Sequence, residues 1–244
     1  MPRIAFVAAL DREVAPLTAT WKALVAEHEG KRYRFFENGN AVLVCGGIGA
    51  ECARRATEAV IQHFHPDRAV SVGFAGALDG TLKVADVLEP AVVICANDGS
   101  RTETGMGRGS LVSFAEVVSR EQKDRLTKSY QASAVDMEAA AVARGARARG
   151  LAFGALKAIS DASNFDMAPT GKFIASDGRF QTMRFAVHVA LRPWLWRWAT
   201  VLARNSSSAS KALCAAIAQY ADRETLKPGI ESKEAGGAYV RHRS

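Results

Sequence analysis

Short apolar runs alternating with stretches of helical periodicity constrain this chain most. Ile4 to Ala9 carries no polar side chain; it is too short for a stable helix and suits a strand buried on both faces. Asp11 to Glu27 then places Val14, Leu17, Trp21 and Leu24 at helical spacing, and Glu51 to Phe64 repeats apolar positions until it stops ahead of Pro66. Tyr33 to Phe36 and Ala41 to Cys45 flank the turn signal Asn38-Gly39-Asn40 and read as a hairpin. Further strands are expected over Ala69 to Phe74, Val84 to Ala96, Leu111 to Phe114 and Leu151 to Ile159. Further helices are expected over Arg120 to Tyr130, Met137 to Arg149 and Phe180 to Leu191. Strands alternating with helices imply an α/β fold whose central sheet is mixed, mostly parallel and covered on both faces. Asn97 to Ser110, polar and glycine-rich, reads as a mobile loop over a pocket.

With 244 residues, 48% of them hydrophobic, the chain can bury one sizeable core. The expected division is a core domain over residues 1–191, a helical extension over 192–221 and a disordered tail over 222–244. No apolar run reaches the roughly 18 residues of a spanning helix, and Met1-Pro2-Arg3 leads straight into a strand, so a cytoplasmic protein is expected. Cys45, Cys52, Cys95 and Cys214 lack CxxC spacing and read as reduced thiols, and the five histidines form no ligand pattern with them. Neither a metal nor a cofactor is expected. The net charge of +7 is concentrated late: beyond residue 190 there are nine Lys/Arg against four acids. There Arg192-Pro193-Trp194-Leu195-Trp196-Arg197-Trp198 sets three tryptophans within five residues, followed by aliphatics and Arg204. Indole and guanidinium groups interleaved with aliphatics suit a helix lying in an anionic membrane surface, with Arg192 to Arg204 as the contact. A nucleic-acid groove would spread its aromatics along the chain instead, so DNA and RNA are not the expected partners.

Two acidic motifs carry the chemistry. Ala134-Val135-Asp136-Met137-Glu138-Ala139-Ala140-Ala141 sets Glu138 at a helix start, and Ala158-Ile159-Ser160-Asp161 closes a strand, so both carboxylates fall at element ends, where open α/β sheets bind ligands. Together with Ile4 to Val14, Gly46-Gly47-Ile48-Gly49-Ala50 and Gly73-Phe74-Ala75-Gly76-Ala77-Leu78, these segments resemble the nucleoside phosphorylase superfamily, in particular its methylthioadenosine/S-adenosylhomocysteine nucleosidase branch. The resemblance spans roughly residues 4 to 161 and implies a nucleoside phosphorylase-like fold and a homodimer. It implies that Asp161 supplies or shares a proton with the purine N7, that Glu138 grips the ribose hydroxyls with Met137 packed on the sugar, and that Glu13 takes the proton of an attacking water. The resemblance also implies Phe74, Ala75, Gly76, Ser160 and Lys157 as substrate-binding residues, Phe74 near the ribose and the nucleophile, and Val117 and Val118 match the segment that reads the adenine edge. Two positions depart from the family: Phe74 replaces a hydroxyl residue, and Lys157 stands where an arginine is usual.

Function is therefore expected to be cleavage of the N-ribosidic bond of an adenine nucleoside, with water favoured over phosphate because acids near the nucleophile repel an anion. The Arg-Pro-Trp-Leu-Trp stretch together with a shortened loop resembles the hopanoid-associated phosphorylases, which implies adenosylhopane as substrate and a peripheral position on a membrane. Phosphorolysis of a purine nucleoside, salvage of methylthioadenosine or S-adenosylhomocysteine, and a membrane-associated nucleoside-binding protein without turnover are the alternatives.

Overall fold

The computed structural model describes residues 3–226. In chain order the elements are β1 (Ile4–Ala8), α1 (Asp11–Thr18), β2 (Lys22–His28), β3 (Lys31–Asn38), β4 (Ala41–Cys45), α2 (Ala50–Phe64), β5 (Arg68–Ala77), β6 (Val87–Leu88), β7 (Val92–Cys95), β8 (Arg101–Glu103), β9 (Ser110–Ser113), α3 (Arg120–Tyr130), β10 (Ala134–Asp136), α4 (Ala139–Ala148), β11 (Ala152–Asp161), α5 (Ala168–Gly171), α6 (Thr182–Ala190) and, after a 3₁₀ turn at Pro193–Leu195, α7 (Trp196–Leu226). The strands form one mixed sheet in which β5 is the hub. It pairs parallel with β1 on one side and with β11 on the other, and its last residues turn to meet β10 antiparallel. A bulge between Ile159 and Asp161 sets Asp161 opposite Gly76, so the strand ends open into a cleft.

Two layers cover the sheet, as the alternation of strands and helices leads one to expect. On one face α2 and α4 bury Ala53, Ala56, Val60, Val142 and Ala146 against β1, β4 and β5; the small side chains let the helices approach the sheet closely. On the other face Val14 of α1 and Ala209, Leu213, Ile217 and Tyr220 of α7 pack on Ile4, Phe6, Leu43, Val70 and Leu156. Tyr220 meets Phe6 edge to face, with centroids 6.1 Å apart.

Four expectations are corrected. The helix expected from Asp11 to Glu27 ends at Thr18, and Lys22–His28 is an edge strand instead, pairing with β3 from Lys22↔Glu37 to His28↔Lys31. Pro16 lies inside the short helix and has no N–H to give to the Arg12 carbonyl, and the free edge of β3 offers a full ladder in its place. The strand expected over Val84 to Ala96 is split into β6 and β7 at Glu89-Pro90. The stretch Asn97 to Ser110 contains β8, held to β7 by pairing from Val92↔Glu103 to Ile94↔Arg101. Finally, α7 runs unbroken from Trp196 to Leu226, past the expected start of a disordered tail at residue 222; the remainder of that tail lies outside the described residues. Serines disfavour a helix interior only weakly, and here Ser210 is tied down by donating to the Glu13 carbonyl at 3.0 Å.

Candidate active site

The strand ends of β1, β5, β10 and β11 surround one cavity of about 320 Å³. Glu13 enters it from the first turn of α1, Phe74, Ala75 and Gly76 from the end of β5, Met137 and Glu138 from the β10–α4 junction, Ser160 and Asp161 from the end of β11, and Val117 and Val118 from the segment before α3. The residues proposed from sequence therefore converge, with one exception. Lys157 does not line the cavity: it is buried four residues before Asp161 on β11 and pairs with Asp136 at 2.8 Å. A lysine in the middle of β11 points into the protein, so it acts on the carboxylates from behind instead of touching a ligand.

Each acid is held differently. Glu138 accepts from the Gly49 N–H at 2.8 Å, so the glycine turn before α2 fixes its direction. Burial, reinforced by the Asp136 charge, pushes its carboxyl up to about 7. Glu13 is buried as well, and burial raises its carboxyl above the ordinary range despite the neighbouring Lys157 charge; a carboxylate in this state is a stronger base than a surface glutamate. Gly73 is needed here, since a Cβ at that position would come within 3.1 Å of Glu13 Oε2. Asp136 lines the cavity beside Glu138, accepting from Ser113 Oγ at 2.6 Å and from the Ala139 N–H at 2.9 Å besides its pair with Lys157. Burial alone would push the Lys157 ammonium down, but Asp136, Glu138 and Glu13 together outweigh it and hold the ammonium above its usual value. Asp161 accepts from Ser160 Oγ at 2.7 Å and forms an ion pair with the buried Lys123.

Sequence reading missed three contributions. Lys123 lies in a helix that reads as polar surface, and only the fold turns it inward. Asp136 lies two residues before Glu138 in the same acidic motif, and only the fold shows that it too reaches the cavity. The third is the far wall, built by Ile174, Phe180 and Phe185 around α6 and by Ala199, Leu202 and Ala203 of α7, with Leu10 and Ile48 continuing it. Arg12 closes the rim, its guanidinium 4.6 Å above the Phe180 ring. The cavity thus has an acidic end at the strand termini and an apolar end at the helices.

Comparison with known proteins gives this geometry a context. A family profile described as Phosphorylase superfamily matches residues 3–117 and 91–183. A 5′-methylthioadenosine/S-adenosylhomocysteine nucleosidase of Actinobacillus succinogenes is 28% identical over 201 residues, covering 66% of this chain and 86% of that protein. Among solved structures, the nucleosidase of that name from Colwellia psychrerythraea, in complex with adenine, superposes with a TM-score of 0.60 at 22% identity over 66% of this chain and 83% of its own. The S-adenosylhomocysteine nucleosidase of Streptococcus pyogenes, bound to 5-methylthiotubericidin, does so with a TM-score of 0.69 at 17% identity over 93% and 98%. At these identities the two structures establish the shared fold.

Proposed function

The chain belongs to the phosphorylase superfamily, and from that membership we propose that it cleaves the N-ribosidic bond of an adenine nucleoside carrying a bulky apolar 5′ group, with water as nucleophile. One observation carries the proposal: Glu13, Glu138 and Asp161, from three distant parts of the chain, line one cavity. The bond breaks when the purine takes its electron pair, and the sugar becomes cation-like. Asp161 faces the purine N7, Glu138 takes the ribose hydroxyls and its charge offsets the developing cation, and Glu13 accepts the proton of the water that adds to the anomeric carbon. Met137 and Phe74 pack on the sugar, and Val117 and Val118 flank the base.

Water is favoured by the charge of the site. Glu13, Glu116, Asp136, Glu138 and Asp161 all reach the cavity, against Arg12 among its described lining residues and Lys157 and Lys123 paired to Asp136 and Asp161 from behind; the excess of acids disfavours a phosphate dianion there. The bulky 5′ group is supported by the apolar wall of Ile174, Phe180, Phe185 and Leu202. A lipid-linked nucleoside such as adenosylhopane, cleaved to adenine and ribosylhopane, fits that wall and the resemblance to the hopanoid-associated phosphorylases. Such a substrate resides in a bilayer, and the outward side of the helices that form the wall carries the cations and apolar side chains that suit anionic lipid. Phe180 to Ala221 contains no Asp or Glu but holds Arg184, Arg192, Arg197, Arg204 and Lys211, and Met183, Leu191 and Trp194 are 76%, 72% and 74% exposed. Among the described residues no helix is long and apolar enough to cross a membrane, so association would be peripheral. A homodimer is the assembly proposed, on the family resemblance alone.

Product analysis tests the reading. Adenine release from adenosylhopane and from 5′-methylthioadenosine is measured with and without phosphate, for wild type and Asp161→Asn. Release without phosphate, faster for the lipid substrate and reduced about 10²–10⁴-fold in the variant, is expected. A sugar 1-phosphate formed only with phosphate overturns hydrolysis; rapid turnover of methylthioadenosine with none of adenosylhopane returns the enzyme to nucleoside salvage. Tight nucleoside binding without any adenine release makes the chain a binding protein.

A further inference from the structure

Helix α3 is polar along nearly its whole length, yet it turns two side chains inward, Leu126 and Lys123. Lys123 is 1% exposed, and its Nζ donates to Asp161 Oδ2 and, at 2.8 Å, to the Ala162 carbonyl. Space is reserved for the pair: a Cβ on Gly76 would stand 2.9 Å from Asp161 Oδ2 and 3.3 Å from Lys123 Cε. A buried ammonium is costly unless it is compensated, and tying a helix to a strand end could be done with apolar side chains at less cost. The partner chosen is the one carboxylate in the cavity that the leaving base would face.

That pairing poses a chemical problem. Asp161 receives a hydrogen bond on each oxygen, from Ser160 on Oδ1 and from Lys123 on Oδ2, and as the anion of an ion pair it has no proton to give. Purine N7 is also an acceptor. Two acceptors facing each other would hinder departure of the base. The nearest mobile proton is on Lys123 Nζ.

We propose that Lys123 is the positioning residue that supplies the proton Asp161 delivers to the departing purine; this rests on the reading of the site as an N-riboside cleaving centre. As the bond between the anomeric carbon and the purine nitrogen breaks, its electron pair passes into the base. N7 takes a proton from Asp161 Oδ, and Asp161 takes one from Lys123 Nζ, which is left as a neutral amine. The attacking water bonds to the anomeric carbon through oxygen and loses its proton to Glu13. When products leave, Glu13 gives that proton to solvent and the amine regains one, so the sum is nucleoside plus water giving free sugar and neutral adenine. Lys123 does not line the cavity and touches no substrate in this scheme.

The test compares two leaving groups on the same sugar: 5′-methylthioadenosine, whose base must be protonated, and 4-nitrophenyl 5-methylthio-β-ribofuranoside, whose phenolate departs unassisted. The ratio of kcat/KM for the two is independent of how much enzyme is folded. In K123M, cleavage of methylthioadenosine is expected to fall about 100-fold or more, as for loss of a general acid, while the nitrophenyl riboside changes little. K123R keeps a cation beside Asp161 but gives up no proton, so it is expected to show the same selective loss while melting close to wild type. Equal losses on both substrates in K123M, or recovery of methylthioadenosine cleavage in K123R, would show that Lys123 only anchors Asp161 and overturn the proposal. Wild-type enzyme that cleaves neither substrate would instead overturn the reading of the site on which it rests.

Discussion

In the proposed function one buried side chain, Glu138, ties activity to stability with opposite signs. Its carboxyl is pushed up to about 7 by burial and by Asp136, whereas in the unfolded chain it titrates near the ordinary glutamate value of about 4.3. Between those two values the folded protein holds a proton that the unfolded chain has lost, so stability falls as pH rises across that window and stays reduced above about 7. Replacing Glu138 by Gln removes the titration. Melting temperatures of Glu138→Gln relative to wild type should therefore rise from pH 5 to pH 8, by the equivalent of at most about 3 kcal/mol. In its proposed role activity moves the other way, because only the ionised carboxylate offsets a cation-like sugar. Wild-type kcat should climb through pH 7 and the variant should be poor at every pH. A difference in melting that does not change with pH would show that Glu138 is not the group titrating.

Among the elements, α7 separates what periodicity can reveal from what packing decides. Its second half buries Leu213, Ile217 and Tyr220 against the sheet, whereas its first half leaves Trp196 and Val201 exposed. Leu213→Ala should thus cost about 2–5 kcal/mol in urea unfolding, and Val201→Ser less than about 0.5 kcal/mol; similar costs would mean that the two halves pack alike. The strand–helix alternation and the acids at the strand ends were legible in the sequence because both are local: an apolar run ends, and a charged residue follows. What was not legible depends on neighbours far along the chain. Trp21 and Leu24 sit at helical spacing, yet Lys22–His28 becomes a strand because β3 presents an open edge. Serines disfavour a helix interior, yet the Ser210 hydroxyl lies 3.0 Å from the Glu13 carbonyl and 3.3 Å from the Arg12 carbonyl, to which Pro16 has no N–H to give. Lys123 was invisible for the same reason: nothing in a polar helix marks the one lysine that meets an aspartate 38 residues away.

At the level of the whole molecule, the cavity and the exposed apolar surface share a wall. Phe180, Phe185 and Leu202 face the cavity, while Met183, Val187, Leu191, Trp194 and Trp196 of the same stretch of chain are exposed, so in the proposed function a substrate whose 5′ group lies in a bilayer could pass from lipid to the acidic end without crossing water. In the peripheral association proposed, an apolar patch bordered by arginines suits an anionic bilayer, since burial of the side chains and attraction to the headgroups then act in the same direction. Vesicles of mixed phosphatidylglycerol and phosphatidylcholine should accordingly co-sediment with the full chain, and vesicles of phosphatidylcholine alone should bind it more weakly. Raising the salt to about 0.5 M should erase most of that difference, because screening then acts within a few ångströms. The double substitution Trp194→Ser with Trp196→Ser should lower co-sedimentation about tenfold or more. It should leave turnover of water-soluble methylthioadenosine close to wild type, since neither indole lines the cavity. If instead the double variant binds vesicles as the wild type does while losing a dimer in analytical ultracentrifugation, the patch is covered by a second copy of the chain and the lipid-facing assignment is wrong.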